Sequence, residues 1–135
     1  MSRQKLTGIA AAFGMLALLA LPFGPASASG VLNGSQIKSA VTGKRIYLSV
    51  PLGGEFPLHY KSNGRVDGSG EALGLGKYLR PTDSGRWWVA GNSLCQKWQN
   101  WYEGKRFCFT LERVGAKKLR WRRDDGKSGV ARIGS

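Results

Sequence analysis

Histidine is almost missing from this chain; His59 is the only one. Cysteine is limited to Cys95 and Cys108. Eight acidic side chains stand against 21 lysines and arginines. Each shortage removes a class of chemistry. One histidine and two cysteines that read as bonded to each other do not make a conventional zinc site. A nucleophile activated by His59 needs a third group to orient the imidazole, and none lies nearby in sequence. His59 therefore reads as a surface position on a strand. The separation of the cysteines is far from the C-x-x-C redox spacing.

The acids are Glu55, Asp67, Glu71, Asp83, Glu103, Glu112, Asp124 and Asp125. Only Asp67 and Glu71 share a strand face in a way that suggests a catalytic carboxylate pair. On an extended strand they stand roughly 13 Å apart, beyond the usual glycosidase separation. Asp124 and Asp125 have the character of turn residues. No glycine-rich phosphate loop sits between a strand and a helix. The expectation is a non-enzyme with no catalytic residue, no metal and no cofactor.

What is present begins with a leader. Arg3 and Lys5 precede the apolar run "LTGIAAAFGMLALLALPF", and Ala26-Ser27-Ala28 supplies small residues where a signal peptidase reads. The expected division is a signal peptide over 1–28 and a single domain over 29–135. Gly8, Gly14 and Pro22 argue against a retained anchor. No cysteine follows the small residues, as a lipoprotein would require. Beyond the cut, no apolar run approaches spanning length, so no integral membrane segment is expected after cleavage. The setting expected is periplasmic or secreted. Loss of Arg3 and Lys5 lowers the net charge from +13 to +11. Such a surplus attracts polyanions, whether nucleic acid, anionic lipid or acidic glycan, unless it serves solubility alone.

The domain reads as one short helix followed by a strand meander. "LNGSQIKSAVTGK" carries Asn33 or Ser35 as a cap, Leu32, Ile37, Ala40 and Val41 near one face, and Gly43 as a stop. Period-two segments then recur: "KRIYLSV", "FPLHYK", "RWWVAGNSL", "RFCFTLER", "KLRWRR" and "GVARI". Asn63-Gly64, Gly91-Asn92 and Asp125-Gly126 mark tight turns. Pro57 fits an edge or a strand start. "VDGSGEALGLGKYLRPTDSG" suggests one irregular strand and a long loop. Seven or eight short antiparallel strands at this spacing predict a mainly β meander or small barrel, with the helix across one opening.

The stretch from Leu94 to Phe109, "LCQKWQNWYEGKRFCF", concentrates the remaining signal. In an extracytoplasmic chain, Cys95 and Cys108 read as a structural disulfide. Closing a loop of this size contributes about 3 kcal/mol in the chain-entropy model. Alternation places Leu94, Gln96 and Trp98 opposite Cys95 and Lys97. It places Phe107, Phe109 and Leu111 opposite Arg106, Cys108 and Thr110. The bridge is thus expected outside the core. Trp98 can pack inward, while Trp101 and Tyr102 lie at a hairpin tip. Two readings of the tip stand. Trp101 and Tyr102 stack on a flat ligand whose charge meets Lys97, Lys105 and Arg106, or Trp101 folds back and plugs the barrel end. On the next strand, Lys118, Arg120 and Arg122 project opposite Leu119 and Trp121, which predicts a cationic stripe.

The functions expected are binding functions. The first is a module for an anionic polymer, lipid or glycan of the envelope. The second is a protein-interaction or inhibitor module presenting the disulfide hairpin, with Trp, Tyr and Arg as anchors. The third is a small barrel holding an apolar ligand. Leu32, Gly34 and Ile37, then Asn63, Gly64 and Gly68, then Gly85, Trp87 and Val89, then Cys95 and Cys108, together resemble a family of small secreted α-proteobacterial domains of unestablished function. The resemblance runs along nearly the whole mature chain. It implies a shared fold and an extracytoplasmic location, and assigns no catalytic residue. The G-x-W element also resembles lipocalin-like and avidin-like barrels, a likeness that carries no ligand with it.

Overall fold

A computed structural model describes residues 30–51, 53–70 and 81–135, besides isolated positions 8, 12, 14 and 17. The leader segment, Glu71 and the glycine-rich stretch 71–80 lie outside the described residues. Among those described, one α-helix and nine strands follow in order: β1 (Gly30–Val31), α1 (Gly34–Val41), β2 (Lys44–Ser49), β3 (Glu55–Tyr60), β4 (Arg65–Ser69), β5 (Thr82–Ala90), β6 (Ser93–Trp98), β7 (Arg106–Gly115), β8 (Lys118–Arg123) and β9 (Ser128–Ile133). A turn of 3-10 helix, Trp101–Gly104, lies between β6 and β7.

Strands β2 to β9 pair antiparallel with their chain neighbours, and β9 returns to pair with β2, so eight strands close into a barrel. The expected mainly β architecture is the one observed. Closure leaves no open edge within the ring. The two-residue β1, which sequence patterning did not reveal, adds to β7 through Gly30–Arg113 and Val31–Glu112. Pro57 pairs with Tyr47 on β2, but the β3–β4 ladder begins only at Leu58. The missing N–H of Pro57 therefore falls where no neighbouring strand asks for it.

Alternation fills the interior. Ile46, Leu58, Tyr60, Val66, Trp87, Leu94, Leu111, Leu119, Ala131 and Ile133 are all buried. The lower end is covered by α1, whose Ile37, Ala40 and Val41 turn inward at helical spacing. Asn33 begins this helix with a capping box: its side chain accepts the Gln36 N–H at 2.9 Å, and the Gln36 side chain accepts the Asn33 N–H at 2.9 Å. The Gly34 N–H donates to Asn92 in the β5–β6 turn, which fastens the helix to the barrel.

Two close approaches require glycine. A Cβ at Gly85 would run into the Lys97 carbonyl and the Trp98 backbone, so Gly85 lets β5 and β6 draw together. A Cβ at Gly68 would lie 2.5 Å from the Trp101 ring and 2.9 Å from the Trp98 ring. The bare backbone at Gly68 is thus the floor on which the indoles at the upper end rest.

Candidate functional site at the open end of the barrel

The upper end carries the loops opposite α1, and it is walled by aromatic rings. Phe56 comes from β3, Trp98 from β6, Phe107 and Phe109 from β7 and Trp121 from β8, all on inward positions of their strands. Among the described residues they surround a cavity of about 570 Å³. Beneath it lies a void of about 40 Å³; Leu48, Leu58, Gln96, Phe109 and Trp121 line both spaces. The aromatic pairs keep tilted or edge-to-face geometry, with Phe109 and Trp121 5.8 Å apart and Tyr60 and Trp87 5.8 Å apart.

The tip between β6 and β7 bends over this cavity. Trp101 is half-buried, 4.7 Å from the Trp98 ring and 5.3 Å from the Phe56 ring. Of the two readings of the tip, the observed geometry is the folded-back one. Its anchor is Asp83 on β5, an inward acid that sequence patterning left without a role. Asp83 accepts the backbone N–H of Trp101 at 2.7 Å and that of Asn100 at 2.8 Å, with the Asn100 side-chain amide at 3.1 Å. Burial works to raise its pKa, but these hydrogen bonds outweigh burial and hold it below the ordinary value. Tyr102 and Glu103 both take the left-handed conformation, φ 56°. Two successive non-glycine residues there are held by their surroundings against local preference.

Polar groups at the cavity are few. Tyr60 donates its hydroxyl to Gln96 Oε1 at 2.7 Å across the interior. Burial raises the Tyr60 pKa well above the ordinary phenol value and keeps the group a neutral donor. Arg123, on an inward position of β8, is buried. Its guanidinium bonds Asp125 at 2.9 and 2.6 Å and lies 4.2 Å over the Phe107 ring and 5.2 Å over the Tyr102 ring. The Trp121 indole lies against Gly129, and its N–H is the one buried side-chain polar atom without a partner among the described residues.

The candidate residues thus divide into two groups. Trp98 is inside, Trp101 covers the opening, and Tyr102 stands on the rim with about half its surface exposed. Lys97, Lys105 and Arg106 are exposed on the outside. Lys118, Arg120 and Arg122 are exposed on the outer face of β8, with Arg120 taken up by Glu112 at 3.2 Å. The hairpin therefore does not present its aromatics and cations on one surface. The cause is strand alternation: Trp98 and Phe107 turn inward where Lys97 and Arg106 turn outward. Arg65 and Arg86 were missed altogether, although they share the outer face with Lys97. Arg123 and Gln96 were missed as cavity residues because polar side chains on an inward position break the hydrophobic pattern.

Cys95 and Cys108 form a disulfide between directly opposed positions of β6 and β7, with Cα atoms 4.0 Å apart. The bridge lies outside the main apolar cluster, yet Cys95 is fully buried on that outer face, opposite Trp88.

His59 lines a polar groove on the outer wall with Arg45, Asp67 and Ser84, in register across four strands. Ser84 donates its hydroxyl to Asp67 at 2.7 Å and not to His59, so these residues do not build a serine–histidine relay. Lys61 and Arg65 pair with Asp67 at 2.7 and 2.8 Å. Partial burial opposes the Asp67 charge, but hydrogen bonds from Lys61, Arg65 and Ser84 prevail and hold its carboxyl well below the usual range. Among the described residues, no group of three His, Cys, Asp or Glu side chains is placed to hold a metal, and no helix is long and apolar enough to cross a membrane. No protein-family model, no curated protein and no solved structure matches this chain.

Proposed function

We propose that this protein is a non-enzymatic binding module that holds a small, largely apolar ligand in the open end of its barrel. One observation carries the reading: the described residues leave an aromatic-walled cavity of about 570 Å³ at one end of a barrel whose other end is covered by a helix. Ligand sites are concave, mostly apolar, and typically span about 300–1,000 Å³ with a few placed polar groups. Here the walls are Phe56, Trp98, Phe107, Phe109 and Trp121, and the polar lining residues include Ser49, Gln96, Asn100 and Arg123. An oxygen acceptor on the ligand meets the Gln96 N–H, while a flat or branched apolar body lies among the rings. The Arg123 charge is already matched by Asp125, so the site favours an acceptor over a second full anion.

The leader pattern and the Cys95–Cys108 bridge support a periplasmic or secreted setting. Amino-terminal sequencing of the protein recovered outside the cytoplasm is expected to begin at Ser29.

The binding test pairs native mass spectrometry with titration by N-phenyl-1-naphthylamine, an uncharged apolar fluorescent probe. Saturable one-to-one binding is expected, weakened by Phe107→Ser and unchanged by Arg120→Glu on the outer wall. Bare polypeptide in the spectrometer together with no saturable probe binding would overturn the reading.

A further inference from the structure

The outer wall carries a row of cations that the strand register brings side by side. Arg65 on β4 stands directly opposite Arg86 on β5; Arg86 stands opposite Lys97 on β6; Lys97 stands opposite Arg106 on β7. All four are exposed. Neighbouring strands lie about 4.8 Å apart, so the row spans roughly 14 Å. Like charges directly opposite one another destabilise a sheet. The usual remedy is an interleaved acid, and it is nearly missing. Arg65 pairs with Asp67, whereas Arg86, Lys97 and Arg106 have no ion-pair partner among the described residues. The row borders a groove of about 690 Å³ on the outer wall, and Glu103 is the one acid among its described lining residues. Trp88, 36% exposed, lies in the same groove, two residues along β5 from Arg86.

We infer that this row is a docking surface for a linear acidic polysaccharide, with uronate or sulfate groups on the cations and a sugar ring against Trp88. Three observations favour that occupant. The row runs across the strands and so bends around a convex wall; a flexible chain follows the bend, whereas a flat lipid surface reaches only its middle. A single-stranded nucleic acid calls for several aromatic platforms on which successive bases stack, and the groove offers one exposed indole. The cations are arginines at three of four places, and the planar guanidinium suits carboxylate and sulfate oxygens through paired N–H bonds. This surface is on the outside of the barrel and independent of the ligand cavity.

The test is titration calorimetry with a size-defined heparin oligosaccharide, run beside a single-stranded oligonucleotide of matched charge and vesicles rich in phosphatidylglycerol. Two variants carry equal charge changes: Arg86→Glu with Lys97→Glu in the row, and Lys118→Glu with Arg122→Glu on β8. The oligosaccharide is expected to bind in a salt-sensitive way. The row variant is expected to weaken it roughly tenfold more than the β8 variant, because only the row variant breaks the cross-strand array. The neutral pair Arg86→Gln with Lys97→Gln is expected to fall between wild type and the charge-reversed row. Equal weakening by both charge-reversed variants would reduce the effect to net charge and overturn the proposal. So would tighter binding of the oligonucleotide or the vesicles, or no binding of the oligosaccharide.

Discussion

The Asp83 carboxylate accepts the backbone N–H of Trp101 at 2.7 Å, and this bond joins the wall of the barrel to the tip that covers its opening. The carboxylate is inside, and its hydrogen bonds hold its pKa below the ordinary 3.8. A depressed folded-state pKa means that the unfolded chain binds the proton more readily. The stabilisation is therefore complete above about pH 4 to 5 and is lost as pH falls through the lower folded-state value. Trp101 emission is expected to shift toward that of an exposed indole as the pH is lowered. Asp83→Asn is expected to show the exposed signal already at neutral pH, with fluorescence as the readout.

Gly68 is the seat for the two indoles. A methyl group placed there meets the Trp101 ring at 2.5 Å and the Trp98 ring at 2.9 Å. Gly68→Ala is expected to cost about 1–3 kcal/mol by overpacking. It is also expected to raise acrylamide quenching of tryptophan emission as Trp101 is pushed outward. Urea unfolding and quenching report the two effects separately.

The Cys95–Cys108 bridge links opposed residues of one hairpin. Replacing both cysteines by alanine is expected to lower stability by about 3 kcal/mol in the chain-entropy picture. The loss should appear in the denaturation midpoint, with far-ultraviolet circular dichroism at rest unchanged.

Glu103 sits in the left-handed region at φ 56°. Glycine adopts that conformation freely, whereas other residues lose about 1–2 kcal/mol. Glu103→Gly is expected to raise the melting temperature, measured calorimetrically, although the unfolded chain gains some freedom from the new glycine.

Much of this fold is readable from local pattern. Leu119 and Trp121 alternate with Lys118, Arg120 and Arg122, and that alone separates inside from outside on β8. Asn33 and Gln36 announce the start of α1. Counting outward from the Gly91-Asn92 turn pairs Ala90 with Ser93 and then Arg86 with Lys97, and the cysteines extend the count to Arg106. Arg65 was beyond such counting, because the stretch from Gly70 to Pro81 separates β4 from β5 and its length sets no register. Closure was of the same kind: Ile46 meets Ile133 across nearly the whole domain, a pairing that no local pattern encodes.

The site itself was less legible than the fold. Trp98 and Trp101 stood out by type, but Asp83 and Arg123 did not. A charged side chain on an inward position contradicts the hydrophobic pattern, and its partners become visible only when separate segments meet. Asp83 finds backbone amides seventeen and eighteen residues away. Arg123 finds Asp125 in its own turn, together with two rings from the other side of the hairpin.

The helical lid at the lower end makes the barrel a blind vessel. On the reading proposed above, a guest enters and leaves at the end where the Trp101 ring lies. The Tyr60–Gln96 bond crosses the interior, and only about 40 Å³ of void remains beneath the mouth. The vessel is therefore shallow. Under the proposed function, such a vessel would gauge the leading end of a guest and leave the trailing end in water, so molecules of very different length would share one fit if they begin alike.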